Sequence, residues 1–295
     1  MPTLEALIGA RRLDGELAGV AEALRGATVQ GKSGRGSGGA GVVWSADGTV
    51  VTNAHVLRGD GARVVLADGR ELRARVAARD EGRDLARLEV DAAGLAAAEP
   101  GDAGALRPGE VVMALGNPLG WVGALAFGVV HEVPRSPRTG DPRWIRADIR
   151  LAPGNSGGPL ADARGRVVGI NTMIVGGLGV AIPVSTVARF LADGGRTPTL
   201  GVTLRPVGVR EGSTLRAGLL VLGVAPGSPA EAGGLLAGDV LLSLDGVALD
   251  GPGDLAAALA ESPAGAVVRL GLARGGRVME REVAPRAGWE EARAA

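Results

Sequence analysis

Cysteine is absent from the 295-residue chain, which excludes disulfides, thiolate metal sites and a thiol nucleophile together. Two histidines are too few for a His-rich metal cluster; no metal is expected, and no cofactor. Tyrosine is absent, phenylalanine occurs twice, and Lys32 is the only lysine. Neither sign of charge is in excess: Lys+Arg and Asp+Glu are both 32, so the formal net charge is zero. That balance removes the electrostatic case for a general nucleic-acid or anionic-membrane binder. Met1 to Arg12 lacks the basic start and apolar core of an export signal. On that reading the protein is cytoplasmic, with the cell envelope as the alternative if the start codon is misassigned. A long apolar run is missing too. Val111–Val130 carries no charge over 20 residues, but Gly116-Asn117-Pro118-Leu119-Gly120 splits it into two β-like runs, Val111–Leu115 and Trp121–Val130. No integral membrane segment is expected.

What is abundant is glycine, 51 residues, without the three-residue period of collagen. Residues 4–25 space Leu4, Leu7, Ile8, Leu17, Val20 and Leu24 as an amphipathic helix, or two helices broken near Gly15. From about Ala27 the texture changes. Short β-like runs at Gly41–Ser45, Thr49–Thr52, Arg63–Ala67, Glu71–Ala77 and Leu85–Val90 alternate with turn signals. Many short strands at this spacing indicate an all-β barrel or sandwich. Ser185–Leu191 reads as a closing helix and 192–196 as a linker. A second unit, 197–286, shows strands at Leu200–Val207, Leu219–Val224, Val240–Leu244 and Val267–Leu272, with a helix at Asp254–Glu261. The tail, 287–295, reads as a short charged helix or as disorder. No internal repeat is visible.

The most informative stretch is Gly154-Asn155-Ser156-Gly157-Gly158-Pro159-Leu160. A Ser between glycines on a loop suits a nucleophilic hydroxyl. The glycines let the N–H groups of Gly154 and Ser156 point at one spot, an oxyanion hole. Taken alone the stretch is equally a plain turn. A serine nucleophile needs a base, normally His. His55, in Val51-Thr52-Asn53-Ala54-His55-Val56-Leu57, sits just past a strand, where a side chain can enter a cleft. His131 ends an apolar strand and suits a surface or half-buried role better. The base needs an acid to fix its tautomer. Strand parity puts Asp84 on the apolar face of Ala86, Leu88 and Val90, where it must be paired. Asp60, Asp68 and Asp80 read as solvated.

The order His55, Asp84, Ser156 in an all-β chain is the chymotrypsin-type order. The flanking residues resemble the HtrA (Deg-type) serine proteases. The matching stretches are Thr52–Val56, Asp84-Leu85-Ala86, Gly116-Asn117-Pro118, Gly154–Leu160, Gly169-Ile170-Asn171-Thr172 and Val180-Ala181-Ile182-Pro183. All four Asn of the chain fall in these stretches. The second unit resembles that family's PDZ domain through Leu200-Gly201-Val202, Ser228-Pro229-Ala230, Gly238-Asp239-Val240 and Asp245-Gly246. The resemblance implies a mostly β chain: an N-terminal helical extension (1–26), a chymotrypsin-like double β-barrel protease domain (27–191), the linker and an α+β PDZ domain. It implies a serine endopeptidase acting on unfolded or damaged polypeptides, with His55, Asp84 and Ser156 as the triad. It places the primary specificity pocket at Leu151, Ile174 and Leu178, all aliphatic, and a groove for apolar C-terminal peptides at Leu200, Gly201 and Val202, faced by Leu255, Ala258 and Leu259. It also implies a homotrimer, although the aromatic N-terminal segment many members use has no counterpart here, and Val180 stands where the family has Phe.

Two other classes compete. Gly26–Ser33 satisfies the phosphate-loop pattern GxxxxGK[ST], the mark of a nucleotide-binding protein, but a helical pattern precedes it and a glycine-rich stretch follows, the reverse of the required context. The third possibility is a catalytically silent adaptor or chaperone that carries the PDZ unit.

Overall fold

The computed structural model describes residues 4–33, 36–59, 61–117, 123–211, 214–262 and 265–287. The chain divides into two compact units: Met1–Arg135 with Asp141–Ala188, and Ser136–Gly140 with Arg189–Ala295. The N-terminal helix thus falls within the first unit rather than outside it.

The first unit is built on two closed six-stranded barrels. Barrel one holds β1 (Thr28–Ser33), β2 (Gly36–Val43), β3 (Thr49–Thr52), β4 (Gly61–Val65), β5 (Glu71–Asp80) and β6 (Leu85–Val90) in the order β1-β2-β3-β6-β5-β4. Barrel two holds β7 (Val111–Gly116), β8 (Ala124–Glu132), β9 (Ile145–Ile149), β10 (Pro159–Asp162), β11 (Val167–Val175) and β12 (Leu178–Pro183) in the order β7-β8-β9-β12-β11-β10. All neighbours are antiparallel, and closure leaves neither barrel an edge strand. Alternation fills each interior. Val50, Val64, Ala86 and Leu88 pack in barrel one; Val112, Ala114, Ile145 and Leu160 pack in barrel two. The apolar run 111–130 is therefore barrel strand on either side of a connection. Pro118 to Val122, including Trp121 and most of the expected turn, lie outside the described residues.

Helix α1 (Leu4–Gly26) is continuous, so of the two readings the single helix holds and there is no break at Gly15. An interior glycine costs about 1 kcal/mol, which tertiary packing overrides. That packing is visible at its C-terminal end, where Leu17, Val20 and Leu24 lie on Met113, Leu115, Ala161 and Val167 of barrel two. No helix among the described residues is long and apolar enough to cross a membrane.

The phosphate-loop reading fails here. Gly26 ends the N-terminal helix and Thr28–Ser33 form β1, with Gly31 paired to both Gly39 and Val64. Lys32 Nζ donates to Glu71 Oε2 at 3.1 Å. A strand inside a closed barrel has no helix N-terminus to hold phosphate.

After α2 (Val184–Ala192), the second unit has a short pair, β13 (Pro198–Thr199) with β20 (Arg286–Ala287), and a sheet ordered β14-β15-β16-β18-β19. Its strands are β14 (Val202–Glu211), β15 (Thr214–Val224), β16 (Val240–Leu244), β18 (Val268–Arg274) and β19 (Arg277–Val283), with β17 (Val247–Ala248) beside β16. Helices α3 (Pro229–Ala232) and α4 (Pro252–Ala260) complete it. Ser228 caps α3 through the Glu231 N–H, and Asp254 reaches back to the Gly251 N–H at the start of α4. Arg286–Ala287 is strand, and the rest of the tail read as helix or disorder, residues 288–295, lies outside the described residues.

Candidate active site

His55 sits in a short 3-10 turn, Ala54–Val56, directly after β3. Ala54 and Val56 are buried and His55 is exposed, so the turn anchors on its neighbours and presents the imidazole. Asp84 reaches it by a different route from the one parity suggested. β6 begins at Leu85, and Asp84 is the last turn residue before it, with φ +53°. A non-glycine residue in the left-handed region costs about 1–2 kcal/mol and persists only where its surroundings hold it. Here they do. Asp84 Oδ1 accepts from the His55 main-chain N–H at 3.1 Å, and Oδ1 and Oδ2 lie 2.9 and 2.8 Å from His55 Nδ1. Thr172 Oγ1 donates to Oδ2 at 2.5 Å, and Asn53 Nδ2 donates to the Asp84 carbonyl at 2.9 Å. The carboxylate only accepts, so Nδ1 carries the imidazole proton and Nε2 keeps its lone pair. Asp80, expected in solvent, is buried, with a carboxylate oxygen 3.6 Å from Arg83 Nε. Asp68 is exposed and bonds Arg70; Asp60 lies outside the described residues. His131 is exposed on β8.

Ser156 lies on the loop between β9 and β10. Ala152-Pro153-Gly154-Asn155 forms a turn closed by Asn155 N–H to Ala152 O at 3.0 Å, with Pro second and Gly154 third at φ +109°. That is the type II pattern, in which only glycine is at ease in the third place. The N–H groups of Gly154 and Ser156 have no acceptor among the described residues. At Gly157 (φ +84°) a Cβ would stand 2.1 Å from Ala40 O and 2.3 Å from Thr52 Oγ1, so the backbones of loop and β2 touch. The Ala40 N–H donates to Ser156 O at 2.8 Å across this seam. Ser156 Oγ donates to the Thr172 carbonyl at 3.0 Å, and no hydrogen bond joins it to His55 among the described residues.

Thr172 was quoted above only as part of a matching stretch. It sits at an irregularity of register between Asn171 and Met173, and such a bulge re-aims a residue's carbonyl and side chain. Its hydroxyl serves Asp84 and its carbonyl serves Ser156. The polar Thr at the end of the buried run 167–171 was the available signal; the bulge was not legible.

Of the three expected pocket residues, two come together. Ile174 pairs with Gly179 across β11 and β12, so their side-chain positions share a face. A Cβ on Gly179 would stand 2.9 Å from Leu151 Cδ1, so Leu151 fills the space glycine leaves. Leu178 pairs with Val175 and falls on the opposite face.

In the second unit, Leu200 is core, and its carbonyl accepts from the Ala230 N–H at 2.9 Å. Gly201 has φ +75° and its carbonyl accepts from Ala225 N–H at 3.0 Å, so β14 starts at Val202. β14 ends the sheet and leaves one edge unpaired among the described residues. Leu255 and Leu259 are buried in the core cluster, while Ala258 is half-buried.

Two closed barrels with a serine loop and a His–Asp pair define a trypsin-like serine peptidase, here followed by a second unit. The trypsin-like peptidase domain profile matches residues 39–170 and the PDZ domain profile matches 220–274. The putative serine protease HhoA of Synechocystis sp. is 34% identical over 267 residues, covering 81% of this chain and 68% of the relative. A probable periplasmic serine endoprotease DegP-like of Halomonas elongata is 37% identical, covering 82% of this chain and 55% of the relative. The chain spans about half to two thirds of the length of the curated relatives it matches. The solved structure of the HtrA-type protease AlgW with tripeptide is 30% identical, with a TM-score of 0.66, over 92% of this chain and 96% of that one. The chain belongs to the HtrA-type serine proteases.

Proposed function

We propose that the protein is a serine endopeptidase acting on unfolded or damaged polypeptides. The observation that carries this reading is the Asp84 carboxylate held within 2.9 Å of His55 Nδ1, which leaves Nε2 as the free base. Ser156 Oγ leaves the Thr172 carbonyl and attacks the peptide carbonyl as His55 Nε2 takes its proton. The Gly154 and Ser156 N–H groups receive the oxyanion. The C–N bond breaks as Nε2 returns the proton to the leaving amine, and water repeats the sequence on the acyl ester. Asp84 holds the tautomer and stabilises the imidazolium throughout. Leu151, Ile174 and Gly179 would line an aliphatic pocket in which Leu151 takes up the space over Gly179, so it takes small side chains such as Val or Ala and rejects Lys or Arg, whose charge would be buried unpaired. Casein incubated with the purified chain should be cleaved, and the Ser156→Ala chain should leave it intact. Cleavage by that variant would overturn the assignment; a folded wild type without activity would favour the adaptor.

The second unit is read as a binder of apolar C-termini. A ligand strand would add to the free edge of β14, its carboxylate on the N–H groups around Gly201. A peptide ending in Val should bind with a Kd in the micromolar range, about −8 kcal/mol, and its C-terminal amide much more weakly. Equal affinity would rule out carboxylate capture. Relatives named as periplasmic make the cell envelope the compartment to test by fractionation, against the cytoplasmic expectation. Sedimentation equilibrium tests the homotrimer.

A further inference from the structure

We propose that Asn53 is a positioning residue for the reaction, its side-chain amide holding the main-chain carbonyl of Asp84 so that the turn before β6 aims its carboxylate at His55. The inference rests on the peptidase reading above. Asn53 is fully buried. It occupies the N-cap of the 3-10 turn that carries His55, where an Asn side chain would ordinarily accept from that turn's own N–H groups. It makes no such bond. Among the described residues its one side-chain hydrogen bond runs from Nδ2 to Asp84 O at 2.9 Å, and Oδ1 has no partner. The opposite amide orientation would set two carbonyl oxygens against each other, so the bond fixes the assignment.

The bonded carbonyl belongs to a residue in the left-handed region, at φ +53°. The other backbone group of Asp84, its N–H, has only a long contact to Glu81 O at 3.4 Å. Asn53 is therefore the strongest restraint on the Asp84 main chain. One short segment thus holds the acid at two levels. Asn53 fixes its backbone, and two residues on, His55 engages its carboxylate through main-chain N–H and Nδ1. An orphaned buried acceptor costs about 1–3 kcal/mol, so stability alone does not account for Asn53.

The test is steady-state kinetics on a peptide substrate with the full chain carrying Asn53→Ala, alone and combined with Asp84→Asn. Asn53→Ala should lower kcat about 10- to 100-fold with KM nearly unchanged, since a small misplacement of a reacting constellation costs that much. In the Asp84→Asn background the same change should cost less than about threefold, because the carboxylate it positions is already gone. Asn53→Ser, whose hydroxyl falls short of the carbonyl, should behave likewise and serves if the alanine variant does not fold. An unchanged kcat, a loss carried by KM, or a full second loss in the Asp84→Asn background would overturn the proposal. An Asp84→Asn chain as active as wild type would overturn the peptidase reading and this proposal with it. A crippled Asp84→Asn chain beside an unaffected Asn53→Ala chain would overturn this proposal alone.

Discussion

Barrel one and barrel two run through the same strand order, and each presents its reacting group after its third strand. After the third strand comes a reacting group: His55 after β3, Ser156 after β9. At the fifth and sixth strands comes a supporting group: Asp84 in the β5–β6 turn, Thr172 in β11. The sequence shows no repeat, yet the topology is repeated. The barrels differ in how they hold their group. Barrel one holds an exposed side chain by hydrogen bonds to an acid in a left-handed turn. Barrel two holds its serine by backbone, through a type II turn and a glycine pressed against Ala40. A base thus needs its charge managed, whereas a nucleophile and its oxyanion donors need their main chain fixed.

The largest expected effect follows from this division. Ser156→Ala should cost about 10⁶ in kcat, and Asp84→Asn about 10³–10⁴, with both chains folded by circular dichroism. Equal losses at the two positions would blur the distinction between the barrels. Next, Thr172→Val keeps the carbonyl that holds Ser156 Oγ and removes the hydroxyl on Asp84. A charge-assisted hydrogen bond contributes about 1.5–3 kcal/mol, so kcat should fall roughly 10- to 100-fold. A loss expressed in KM instead would mean that Thr172 serves substrate binding rather than the acid.

A smaller effect is expected in barrel two alone. Leu151→Ala should open the space over Gly179 and shift preference at the cleaved residue from Val toward Leu or Met by about 10- to 200-fold, read from a peptide library. An unchanged profile would place the pocket elsewhere.

How much of this was legible in the residues varies with the kind of signal. Thr49–Thr52, Leu85–Val90 and Val240–Leu244 were read with the bounds the structure has, because alternation and flanking turn residues mark them. β9 and β19 went unread, since Ile145-Arg-Ala-Asp-Ile and Arg277–Val283 mix charge with apolar residues, although Gly275-Gly276 before β19 is a hairpin signal. At the site, residue types and order pointed to His55, Asp84 and Ser156. The means of holding them did not show. Asp84 was assigned by a parity that a left-handed φ invalidates, and the Thr172 bulge depends on pairing across the sheet. Leu178 was grouped with Ile174 although β12 alternation puts it on the other face.

The smallest effect concerns the second unit. Asp239 is buried, with both carboxylate oxygens on the Arg274 guanidinium at 2.6 and 2.7 Å, and this pairing holds its carboxyl below the usual range. A depressed carboxyl stabilises the fold fully above the unfolded value, near 3.8, and loses that contribution as pH falls through its folded value. Asp239→Asn should therefore lower the thermal midpoint at pH 7, with the gap to wild type closing below about pH 4. A gap that persists at low pH would assign the effect to packing.

Labelling the purified chain with a fluorophosphonate and mapping the modified peptide tests the central claim most directly, because the reagent needs a nucleophilic serine with its base in place. One modified residue is expected, Ser156, with no labelling of the folded Ser156→Ala or His55→Ala chains. A folded wild-type chain that takes no label, or a label that persists in Ser156→Ala, would contradict it.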